Sequence, residues 1–185
     1  MSDRGGLQPA PIRPALLVHQ EGVLALLAVV GLAFTERGLV RALAAKGSLI
    51  NAVAIGSAAG AATVGVLWLV RGVPPLERLE RWQRVMVSRW SHADAVAVAV
   101  ISGLAEEAML RAFLQPVIGL VPAAALFAVL HLVPDRRLWF WPFFALVSGL
   151  LLGGLFELYG FPAAAAAHTV MNGLALLRLR RPQRE

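Results

Sequence analysis

The stretch from Ala95 to Val121 is apolar and long enough to cross a membrane, yet Glu106, Glu107 and Arg111 stand in its middle. A charged side chain near the centre of a bilayer costs about 2.5–3.5 kcal/mol on insertion scales. Three such groups in one segment need partners, so the rest of the chain has to form a container that neutralises or uses them. Composition says that the container is itself a membrane protein. Of 185 residues, 58% are hydrophobic and 15% charged, with a mean hydropathy of +0.70, whereas a soluble domain is roughly 45–50% apolar and 25% charged. Cysteine is absent, which excludes disulfides, thiolate metal sites and a cysteine nucleophile.

A spanning helix needs about 20 mostly apolar residues. Ala15–Phe34 meets that need and is read as a retained span; His19, Gln20 and Glu21 near its start are expected to reach the interface. Leu49–Val70 is a second span, smooth at Gly56–Ala62 and therefore suited to close helix packing. Pro74 and Pro75 then lead into a segment in which Leu76, Leu79, Trp82 and Met86 recur at helical spacing beside Arg78, Arg81, Arg84 and Arg89. That pattern predicts an amphipathic helix lying in the membrane surface. A third span starts at Asp94, a residue suited to an N-cap, and runs past Arg111 to Pro116. Pro122–Val133 is a short fourth segment, Leu138–Tyr159 a fifth with Trp139 and Trp141 as an aromatic anchor, and Phe161–Leu177 a sixth. The expected fold is all-α: a polytopic bundle of about six transmembrane helices, with the amphipathic helix between the second and third. Residues 1–93 would supply two spans and the surface helix, and 94–185 a catalytic core, within one integral membrane domain.

Six spans put both termini on one side. That side collects Arg4 and Arg13, the five arginines from Arg71 to Arg89, Arg136 and Arg137, and Arg178, Arg180, Arg181 and Arg184; the other holds only Arg37, Arg41 and Lys46. The positive-inside rule places the rich side in the cytoplasm. Because these residues flank apolar runs, lipid head groups and not nucleic acid are their expected partners.

Residues four apart on a helix are neighbours, whereas adjacent residues diverge by about 100°. Glu107 therefore pairs with Arg111, acid first, and Glu106 is left free to act as a general base or acid. His131 follows Phe127 by four residues, and Asn172 follows His168 by four on an otherwise apolar helix. Two polar groups on one such face point inward. A carboxylate with a histidine can activate water, and a second histidine with a carboxamide can donate to an oxyanion. No serine stands beside an obvious base and there is no HExxH motif, so attack of an activated water on a peptide bond is the chemistry that fits. A packing network without chemistry is the plain alternative.

At these residues the chain resembles the CPBP family, the CAAX-protease and bacteriocin-processing (Abi) intramembrane endopeptidases. Glu106-Glu107-Ala108-Met109-Leu110-Arg111 is similar to its EExxxR motif, Phe127–His131 to FxxxH and His168–Asn172 to HxxxN, in order and over residues 106–172. The resemblance implies a glutamic intramembrane protease in which Glu106 is the general base, His131 assists it, and His168 and Asn172 form the oxyanion site. Glu107 and Arg111 would then hold and orient the helix, with Phe127 as motif packing. It implies no metal or other cofactor, although two histidines and a glutamate could bind zinc. The substrate would be a membrane-anchored protein or peptide. The small, Ala-, Leu- and Arg-rich chain looks bacterial, which points to an inner membrane and away from prenylated substrates. A non-catalytic scaffold or immunity protein and a small transporter are the other classes that a buried polar network permits.

One element of this layout does not close. At about 1.5 Å per residue, Glu106 lies roughly 18 Å into its span, while His131 falls near the cytoplasmic end of the fourth segment.

Overall fold

In the computed structural model, residues 9–180 are described. Segment 1–8 with Arg4, and Arg181 and Arg184 of the tail, all counted above on the cytoplasmic side, lie outside them.

The chain folds into α1 (Pro14–Ala33), α2 (Gly38–Ala42), α3 (Leu49–Leu69), α4 (Pro74–Met86) and α5 (His92–Glu107). A π-helical segment (Ala108–Leu114), α6 (Gln115–Ile118), α7 (Leu120–Leu130), a 3₁₀ turn (Arg136–Leu138), α8 (Phe140–Tyr159) and α9 (Phe161–Leu179) follow. The all-α class is as expected. Pro14 and Pro74 open their helices where a missing N–H costs nothing. Ser91 caps α5, accepting from the Asp94 amide at 3.1 Å, while Asp94 Oδ2 accepts from the Ser91 amide at 2.8 Å. The cap is thus Ser91, with Asp94 as the reciprocal third residue of a capping box and not the cap itself. Gly119 and Gly160, at φ +89° and +86°, break the α6–α7 and α8–α9 junctions in a conformation that a side chain resists.

Small residues set how closely the helices approach. Gly56 and Gly60 of α3 face Ala163 and Ala167 of α9, and a β-carbon at either glycine would strike those alanines' carbonyl oxygens. The smooth centre read in the second span is this contact, a small-xxx-small interface of the kind that lets backbones touch. Gly103 of α5 sits equally tight against Thr169 of α9. Just beyond α5, Ala28 and Leu32 of α1 pack with Ala108 and Ala112 of the π segment. Large apolar side chains such as Leu26 on α1, Ile50 on α3 and Phe143 on α8 remain exposed, which an apolar solvent permits.

Three helical stretches, Pro14–Ala33, Leu49–Leu69 and Arg136–Tyr159, are long and apolar enough to cross a membrane. They mark an integral membrane protein. Of the other expected spans, α5 has 16 residues before the π segment, α7 only 11, and α9 carries His168, Asn172 and Arg178.

The amphipathic helix differs from expectation in what its apolar face meets. Leu76 and Leu79 are buried against the protein, and Trp82 packs edge-on against Trp141 at 5.4 Å. Trp141 is accordingly not a second surface anchor beside Trp139, which stays half-exposed. Packing won over the interface because α4 has a hole in the bundle to cover.

Candidate active site

That hole is a cavity of about 310 Å³. Glu106, His131, His168 and Asn172, drawn from three separate motifs, all line it. Its apolar wall includes Leu76, Leu79 and Met86 of α4 and Phe144 of α8.

α5 runs without interruption into the π segment, where the Gln115 amide bonds to the Leu110 carbonyl, five residues back. Pro116 gives a reason: it has no N–H for the Ala112 carbonyl, and its ring would crowd that oxygen in a regular α-helix. The widened turn begins directly after the two acids, and such segments recur at functional sites. Gln115 anchors the far end, its Nε2 donating to the Gly153 carbonyl and to Glu157 Oε1, each at 3.1 Å.

Glu107 and Arg111 are both fully buried, with Glu107 Oε2 3.1 Å from Arg111 Nε. The i,i+4 pair read in the sequence is therefore present, as an ion pair by distance; neither Nη of Arg111 has a hydrogen-bond partner among the described residues. The guanidinium instead lies over the Phe127 ring, 5.3 Å from its centre. Glu107 has a second task that the sequence did not show. Its Oε1 is 2.8 Å from His168 Nδ1, so Arg111, Glu107 and His168 form one chain of contacts from the core to the cavity wall. A carboxylate on one imidazole nitrogen fixes the ring's orientation and leaves Nε2 for the cavity.

His131 Nδ1 lies 2.8 Å from the Phe127 carbonyl. A carbonyl only accepts, so Nδ1 carries the proton and Nε2 of the neutral ring keeps its lone pair. Phe127 meets the edges of both histidines, at 4.5 Å and 5.7 Å between ring centres. It is the spacer of the site. Asn172 Nδ2 donates to Ser102 Oγ at 2.9 Å, one turn before Glu106 on α5. The close approach at Gly103 brings the Ser102–Glu107 face within reach of His168 and Asn172.

Whatever their positions along the expected spans, the groups meet: α7 is a short helix, as expected, capped by His131, which lines the cavity with Glu106. Two residues were missed. Ser102 could have been found from its i,i+4 relation to Glu106. Glu21 was assigned to the interface with His19 and Gln20; those two are exposed, but Glu21 is only 8% exposed and lines the cavity. Its signal was the seven-residue spacing to Ala28, on the face of α1 that packs inward. Among the described residues, no three His, Asp or Glu side chains are grouped to hold a metal ion.

Residues 88–174 match the family model for Rce1-like proteins, described as type II CAAX prenyl endopeptidase Rce1-like. Over this stretch the chain is similar to Rce1-like proteins. The match covers all three motifs and begins just before the Ser91 cap, so it bears out the resemblance drawn from those motifs and suggests a protease. Neither a curated protein nor a solved structure matches the chain. The Rce1-like segment takes in α5, the π segment, α6, α7, α8 and most of α9; α1, α3 and α4 lie before it.

Proposed function

We propose that the chain is an intramembrane endopeptidase that hydrolyses a peptide bond of a membrane-associated protein or peptide. Residues 94–185 are its catalytic core and 1–93 the flanking spans and covering helix. Six spans, with both termini on the cytoplasmic face of a bacterial inner membrane, agree with the arginine distribution. The observation that carries the reading is the meeting of Glu106, His131, His168 and Asn172 at one cavity.

In the reaction, the oxygen of a water held between Glu106 and His131 Nε2 bonds to the carbonyl carbon as its proton passes to Glu106. Negative charge develops on the former carbonyl oxygen. The second N–H of Asn172 Nδ2 donates to it, the first being held by Ser102. With both ring nitrogens of His168 protonated, Nε2–H adds a second donor, and Glu107 with Arg111 holds that ring in place. The intermediate collapses when the amide nitrogen takes the proton from Glu106 and the C–N bond breaks, releasing an acid and an amine. The apolar wall of Leu76, Leu79, Met86 and Phe144 suits an apolar stretch of substrate beside the scissile bond.

Glu106→Gln tests the reading, since it keeps size and removes the base. Cleavage should fall at least about 10³-fold, followed by mass spectrometry of peptides offered to the purified chain in detergent. Undiminished cleavage by this variant would sink the catalytic assignment and favour a scaffold role.

A further inference from the structure

The mechanism above leaves one buried acid unused. Glu21 comes from α1, outside the Rce1-like segment, and no motif includes it. It is buried, it lines the cavity with Glu106, and its Oε2 has no hydrogen-bond partner among the described residues. An unpartnered carboxyl oxygen in an apolar bundle is costly, so its position needs a reason beyond packing. Glu21 and Glu106 come to this one cavity from two helices packed on each other, α1 and α5.

The surrounding charges decide what that placement means. Arg111 is committed to Glu107, and His168 Nδ1 to the other oxygen of Glu107. His131 donates its Nδ1–H to the Phe127 carbonyl and is neutral. The other cation on the cavity wall, Arg178, is paired with Glu80 at 3.2 Å, so among the described residues that line the cavity only His168 is left to offset a charge on Glu21 or Glu106. Two carboxylates that share a low-dielectric site cannot both ionise at ordinary cost. We propose that Glu21 is a positioning residue of this site, a second carboxyl that holds one proton in common with Glu106 and fixes the basic oxygen of Glu106 toward the water. The shared proton is not consumed. The water proton goes to Glu106 and on to the leaving nitrogen, as in the hydrolysis above, and Glu21 ends each cycle as it began.

This inference rests on the reading of Glu106 as the base, and the test separates the two. The purified full chain in detergent micelles is given a pooled library of quenched peptides, each bearing an apolar C-terminal segment, and the best-cleaved member serves for kinetics. Glu21→Gln should lower kcat about 10- to 100-fold, with KM within about twofold and the unfolding temperature little changed. Glu21→Asp should recover part of the lost kcat, because it restores a carboxyl. A role in packing alone predicts the reverse order, since Gln matches Glu in size and Asp does not. Wild-type kcat in Glu21→Gln overturns the inference while leaving Glu106 in its role, provided that Glu106→Gln is dead. If the chain cleaves no library member, or if Glu106→Gln remains active, the functional reading falls and this inference with it. If Glu21→Gln does not fold, Glu21→Asp decides: kcat below that of the wild type at unchanged KM supports the shared proton, and a changed KM with normal kcat refutes it.

Discussion

The two halves of the chain differ in what they advertise. From Ser88 onward the sequence carries three motifs and a family match; before it there is no motif at all. Yet the cavity is built by both. The later half brings the candidate catalytic groups, while α1 contributes Glu21 and α4 the apolar cover of Leu76, Leu79 and Met86. Motifs mark chemistry because a reaction fixes residue identity. A container is fixed only by size and apolarity, which many residues satisfy, so it leaves no signature.

Substitutions in each half test how far this contrast goes. The largest effect should come from Arg111→Ala in the motif half. It strands a fully buried Glu107 carboxylate, and removing one partner of a buried ion pair destabilises by about 3–5 kcal/mol. Thermal or denaturant unfolding in detergent measures this; an unchanged midpoint would mean that the pair holds nothing together.

Gly60→Leu in the motif-free half should come next, at about 1–3 kcal/mol of destabilisation from overpacking, because any β-carbon there meets the Ala167 carbonyl. Activity should fall with it, since α9 carries His168 and Asn172. Should stability drop while kcat stays normal, the two halves would be more independent than the structure indicates.

A smaller effect is expected of Ser102→Ala, which frees the Asn172 amide from its anchor. A loss of about tenfold in kcat, roughly 1.4 kcal/mol, with little change in unfolding would place Ser102 in the site and not in the scaffold. The smallest belongs to Glu80→Ala. Glu80 ties α4 to Arg178 at 3.2 Å, with the two side chains 18% and 32% exposed. A pair so placed contributes no more than about 1 kcal/mol, so a large loss of stability would show that the α4 cover is held mainly by charge and not by Leu76 and Leu79.

How much of this was legible beforehand differs by residue. Helix boundaries were readable to within a few residues because apolar runs and prolines act locally, although the cap of α5 is Ser91 and not Asp94. The Glu107–Arg111 pair was readable because it lies within one helix, where spacing alone sets proximity. The contact of Glu107 with His168 was not, as 61 residues separate them and it depends on how α5 and α9 cross at Gly103. The π segment had a local cue in Pro116, but nothing local says which carbonyl a displaced turn will choose.

By itself, then, the sequence determined that this chain is an all-α membrane protein, which of its residues could do chemistry, and that Glu106 and Glu107 must have different tasks. Those conclusions follow from composition and from helical geometry, which need no knowledge of neighbours. Only the tertiary structure decided that α4 turns its apolar face inward, that Glu107 contacts His168 as well as Arg111, and that Glu21 lines the cavity. Each of these depends on which helix faces face one another, and in an almost uniformly apolar chain hydrophobicity does not distinguish the faces. Glycines 56, 60 and 103 do, by permitting contact only where no side chain stands between two backbones.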